Sequence, residues 1–182
     1  MRTIQAGAVR LHEALLDEGG IVAEVVRAPS GDRPTLEGSG PAQLAATGPR
    51  ARGHEAEYEL LLEMILEGSR LHYGEALVVR PEDPDLALLL GDQLYSLGLS
   101  RLAALGDLEA VAELADVISL VAQAHADSRP ALAEAAWEAG AAAVGWGGSP
   151  HHAAAKALAR SGSPDAARAL SAVALSARAT SS

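Results

Sequence analysis

Apolar residues recur along this chain at intervals of three and four, and nowhere alternate over a run long enough to suggest a strand. Ile4, Ala8, Leu11, Leu15 and Leu16 predict a helix over 1–17 that Gly19-Gly20 interrupts, with a short continuation over 21–27. A second helix is predicted over 54–72. Tyr58, Leu61, Leu62 and Ile65 lie along one side of it, and Glu59, Glu63 and Glu67 form a row on the other that reads as a solvated face. Asp83-Pro84-Asp85 supplies a cap, a proline at the first helical position and an early acid, so a third helix runs over 84–105. Leu86, Leu89, Leu90, Leu94, Leu97, Leu102 and Leu105 cover most of its circumference, which predicts a helix surrounded by others at the centre of the arrangement. Asp92, Gln93, Ser96 and Ser100 share one arc of that helix, and Gly91 and Gly98 share a neighbouring line where another helix can approach closely.

After a corner at Gly106-Asp107, a helix to about 127 carries a stripe of Leu108, Val111, Leu114, Ala115, Ile118, Val121 and Ala122. Ser128-Arg129-Pro130, Ser149-Pro150 and Ser163-Pro164 then repeat a start signal for three alanine-rich helices, 131–146, one from 150, and 164–179. The predicted fold class is all-α, a multi-helix bundle. Between the first two helices, 29–53 holds Pro29, Pro34, Pro41 and Pro49 among glycines, with Leu36 and Leu44 as its large apolar anchors. The expected organisation is an N-terminal helical segment over 1–28, a Gly/Pro-rich flexible linker over 29–53 and a helical bundle domain over 54–182.

Composition narrows the function classes. At 182 residues the chain suits one core, and 49% hydrophobic residues with no phenylalanine require small side chains to fill it. The absence of cysteine excludes disulfides and thiolate chemistry. A formal charge of −10, with only 14 Lys and Arg, argues against nucleic acid and anionic membrane surfaces. No apolar run reaches the roughly 18 residues of a membrane span, and Arg2, Arg10, Glu13 and Asp17 do not suit a signal peptide. A cytoplasmic location is expected.

Reactive groups are sparse. No serine sits in a nucleophile elbow and no glycine run forms a phosphate loop. His151 and His152 are adjacent, so on a helix they point about 100° apart and do not chelate one ion; an exposed helix start is expected there. Glu82, Asp83 and Asp85 are explained by helix initiation. No catalytic residue, metal ligand or cofactor is therefore assigned. The candidate pocket-lining residues are His72, Glu75, Asp92, Gln93, Ser96 and Ser100.

The run Glu63-Met64-Ile65-Leu66-Glu67-Gly68-Ser69-Arg70-Leu71-His72 resembles the helix leading into the first aspartate-rich motif of the trans-isoprenyl (polyprenyl) diphosphate synthase family. Leu90-Gly91-Asp92-Gln93-Leu94 and Ala103-Ala104-Leu105-Gly106-Asp107 look like that family's Gly-Asp helix and the Leu-Gly-Asp corner after it, and Ala135 to Gly162 is similar to a later Ala- and Gly-rich helix pair. Where D-D-x-x-D would follow His72, this chain has Tyr73-Gly74-Glu75-Ala76-Leu77, and the second aspartate-rich motif has no counterpart. In the family those carboxylates hold Mg²⁺ against the allylic diphosphate. The resemblance thus implies a shortened isoprenoid-synthase-like fold without its metal chemistry.

Three readings follow. The first is a non-catalytic accessory or regulatory subunit that associates through helices, 84–105 and 107–127 among them, either with itself as a homo-oligomer or with a catalytic prenyl synthase. The second is a binding protein whose polar stripe closes a pocket for a lipid or isoprenoid. The third is an isoprenoid enzyme of altered chemistry using His72, Glu75 or Asp92.

Overall fold

The computed structural model describes residues 2–29 and 39–180. Among these the chain is all-α, with nine helices: α1 (Ile4–Glu18), α2 (Gly20–Val25), α3 (Pro41–Thr47), α4 (Glu55–Tyr73), α5 (Pro84–Ala104), α6 (Leu108–Ala126), α7 (Pro130–Trp146), α8 (Pro150–Arg160) and α9 (Ala166–Ala179). The described residues form no strand. Val26 and Val79 make one isolated antiparallel bridge, flanked by Arg27 N–H to the Val78 carbonyl at 2.7 Å and Arg80 N–H to the Val25 carbonyl at 3.0 Å.

Contacts divide the chain into two compact units, Met1–Gln43 with Ala56–Leu105, and Leu44–Glu55 with Gly106–Ser182. This partition interleaves in sequence and does not follow the expected one. Part of the expected linker, 30–38, lies outside the described residues. Over 39–53 the same segment forms α3 and a single 3-10 turn, Pro49–Ala51, and Gln43, Leu44, Ala45, Ala46 and Ala51 are buried. Pro41 and Pro49 start these short helices rather than keep the chain open.

In the first unit, α4 is the enclosed helix. Tyr58, Leu61, Leu62, Met64, Ile65 and Leu66 are buried, and so, contrary to the expected solvated face, are Glu59, Glu63 and Glu67. The reason lies in what covers that row: the α1 region, α3 and the connector after α4 bring Arg2, Arg10, Gln43 and the amides of 77–79 against it.

The expectation of a fully buried helix over 84–105 is also corrected. α5 buries one line, Leu90, Gly91, Leu94, Gly98 and Leu102, while Leu88 and Leu89 are 46% and 67% exposed. Along that line the glycines do bring a helix close. A Cβ on Gly98 would lie 2.5 Å from Cγ1 of Ile65 and 3.1 Å from the Leu61 carbonyl oxygen, both on α4. Many leucines made α5 look central, but leucine is also a good helix former on an exposed arc.

In the second unit the enclosed helix is α7. From Leu132 to Gly145 only Glu134 and Glu138 escape burial, and the helix is built almost wholly of alanine and glycine around Trp137. Small side chains let neighbours approach its backbone; Gly48 and Gly145 meet so closely that a Cβ on Gly48 would sit 2.2 Å from the Gly145 carbonyl oxygen. α6 faces this unit with Ala110, Leu114, Val117, Val121 and Ala124, a stripe rotated from the expected one, with which it shares Leu114 and Val121. Leu108 is 67% exposed.

Candidate functional site

The six residues singled out from sequence separate into two groups. His72, in the last turn of α4, lies with Nε2 3.1 Å from Oδ1 of Asp92 on α5, within ion-pair distance though outside hydrogen-bond geometry. Its ring stacks on Tyr95 with centroids 5.4 Å apart and planes 10° from parallel, and tilts against Tyr73 at 5.6 Å. Glycine permits this, because a Cβ on Gly91 would lie 2.7 Å from the same Nε2. Burial pushes the Tyr95 phenol up to about 12, against a smaller opposing effect of the Ser69 hydroxyl, so it stays neutral at ordinary pH. Gln93, Ser96 and Ser100 are exposed, and Ser100 donates back to the Ser96 carbonyl at 2.5 Å. Glu75 is exposed in the connector after α4. The polar stripe is thus the outward arc of α5, and none of the three cavities described below is lined by any of the six residues.

The polar groups that the first unit does enclose are the three glutamates of α4, spaced one turn apart. Glu59 is ion-paired with both Arg2 and Arg10 from the α1 region and accepts from Gln43 Nε2 at 3.2 Å. Glu63 accepts from Gln43 Nε2 at 2.9 Å and lies 3.4 Å from Arg70. Glu67 is the best served: the backbone N–H groups of Leu77, Val78 and Val79 donate to it at 2.9, 2.6 and 2.9 Å, and Arg70 at 3.2 Å. It organises the connector into a nest of amides around one carboxylate. Burial pushes the Glu63 carboxyl up, with Arg70 and Gln43 pulling the other way. The sequence signal for this ladder was the unbroken apolar bracketing of Glu63. Apart from Arg70 on the same helix, its partners come from other elements, which no local pattern links.

A second network fills the other unit. Glu113 joins His152 Nε2 at 2.7 Å to Lys156 at 2.5 Å, and Asp116 joins Lys156 at 2.9 Å to Arg160 at 2.6 Å. His152 is therefore buried, not part of an exposed helix start as expected; His151 is exposed. Burial alone would raise the Glu113 carboxyl, but hydrogen bonds from His152 and Lys156 outweigh it and hold the group below the usual carboxylate range. A polar cavity of about 410 Å³ is walled by Arg50, Glu109, Glu113, Asp116 and Lys156. Its cations are already matched, since Arg50 pairs with Asp107 at 2.8 Å and Glu109 at 2.6 Å. In the first unit a smaller space of about 320 Å³ lies beside Arg70, Val79 and Arg80.

The second unit also holds an apolar concavity. An open groove of about 830 Å³ runs along α7, α8 and α9, floored by Ala142, Ala143, Ala155, Leu158, Ala169 and Val173, with Trp146 on its wall and Ser149, His151, Ser176 and Thr180 at its polar edges. Among the described residues no three His, Asp or Glu side chains are grouped to hold a metal ion, and no helix is long and apolar enough to cross a membrane. Comparison with protein-family models, curated proteins and solved structures gave no match.

Proposed function

We propose that this chain is a non-catalytic helical binding protein, an isoprenyl diphosphate synthase-like accessory subunit that receives a helix of a catalytic prenyl synthase in the groove of α7, α8 and α9. One observation carries the reading: the groove is open and floored largely by alanine, so a partner helix can lie close to its floor and bury apolar surface on both sides. The supporting circumstance is that the carboxylates, arginines and lysine of the two networks are engaged with one another. Ala172 lines the groove from an exposed position, so Ala172→Arg fills it without entering the core. Co-purification with a prenyl synthase from the native cell tests the proposal. The wild-type chain recovers the synthase and Ala172→Arg does not; equal recovery by both removes the groove from the interface. Sedimentation of the isolated chain distinguishes a homo-oligomer built through the same groove.

The same dimensions suit a second reading, an isoprenoid or lipid chain as ligand, because the volume lies within the range of small-molecule sites. Trp146 on the groove wall reports it directly. Titration with farnesol or a fatty acid shifts the indole emission to the blue and raises thermal stability if this reading holds, and leaves both unchanged if it does not.

A further inference from the structure

The three buried glutamates of α4 are unequally provided. Glu59 takes both Arg2 and Arg10 together with an N–H of Gln43, and Glu67 takes three backbone N–H groups and Arg70. Glu63, one turn from each, is 1% exposed and has one amide hydrogen bond and a share of Arg70 at 3.4 Å. α1 seals it. A Cβ on Gly7 would lie 2.9 Å from Glu63 Oε1 and 2.8 Å from Gln43 Nε2, so the backbone of α1 lies directly over the carboxyl.

We propose that Glu63 is a protonation-controlled lock between α1 and α4: while the carboxyl is protonated the two helices stay closed, and its ionisation loosens α1 to admit water. The groups facing Glu63 offset only part of a charge there. On α4 the neighbours are Glu59 and Glu67, like charges when ionised, and Arg70, which Glu67 shares. Arg2, just before α1, and Arg10 on α1 pair with Glu59; from α3 comes Gln43; the amides of the connector are taken by Glu67. A buried carboxylate with this few donors is costly, and α1 is the helix whose backbone covers it. Burial accordingly pushes the Glu63 carboxyl up from its ordinary value of 4.5. The closed state therefore binds the extra proton, is favoured at low pH, and loses that advantage as pH rises from 4.5.

The test is amide hydrogen exchange across α1 in the full-length chain, corrected for intrinsic rates, from about pH 5 to about pH 8, beside Glu63→Gln, which mimics the neutral carboxyl. In the wild type, α1 protection falls with rising pH by up to about tenfold per pH unit, the slope of a single proton, and in Glu63→Gln it is flat. A flat wild-type profile, or the same fall in the variant, overturns the proposal. Infrared spectroscopy of the native chain decides it without a variant. A protonated-carboxyl carbonyl band that persists above the exposed carboxyl range and titrates with α1 protection supports the lock, and its absence overturns it.

Discussion

At the scale of single residues, the physical chemistry of this protein is that of carboxylates taken out of water. Glu67 is the clearest case, since three backbone N–H groups converge on it from a connector with little other regular structure, and Arg70 of its own helix is a fourth donor. Glu67→Ala leaves three backbone N–H groups and part of Arg70 without an acceptor, and is expected to cost about 3–5 kcal/mol in urea unfolding. Glu67→Gln keeps an acceptor oxygen and falls between. Glu113 makes a prediction of the opposite pH sense to Glu63. Its carboxyl is held low in the folded chain, so its stabilisation is present above the ordinary value of 4.5 and is lost as pH falls below it. Thermal unfolding followed downward from about pH 5 is expected to decline less steeply in Glu113→Gln than in the wild type, from a lower starting stability.

At the scale of elements, close approach of helices depends on residues without side chains at particular turns. Gly98 sits against Ile65 and the Leu61 carbonyl, and Gly98→Ala is expected to destabilise by about 1–3 kcal/mol because α4 and α5 must separate or Ile65 must leave its rotamer. Gly148→Ala is the control: nothing lies within 4 Å of the added Cβ, and stability should change little. Denaturant midpoints of the two variants, with unchanged slopes, check the pair. The glycine line of α5 was legible in the sequence because it follows helical geometry alone. Which α5 leucines face outward was not, because Leu88 and Leu90 differ only in what lies opposite them.

At the scale of the whole molecule, charge and surface shape bear on association. With a net charge of −10 the chain resists nonspecific contact with other acidic proteins, and in the function proposed above it is the apolar groove that would select a partner. Association through that groove is expected to survive about 0.5 M salt, since apolar burial is not screened as surface ion pairs are. Capture of the synthase that disappears at that salt concentration would place the interface on charged residues instead.

The sequence by itself determined that the chain is helical, where most helices begin and stop, and that small residues fill its interior. Those properties rest on local rules: spacing of apolar residues, proline at first positions, glycine at ends. Tertiary structure alone decided which helices are enclosed. The alanines of α7 carry little hydrophobic weight in a pattern, yet they let neighbours close around it, while the leucine-rich α5 keeps an outer arc. It also turned the acids of α4 inward, because their partners, Arg2, Arg10, Gln43 and the amides of 77–79, are brought together only by folding. The stripe from Asp92 to Ser100 took the outer arc for the same reason, and the carboxylates enclosed in this unit are those of the row that the sequence pattern assigned to solvent.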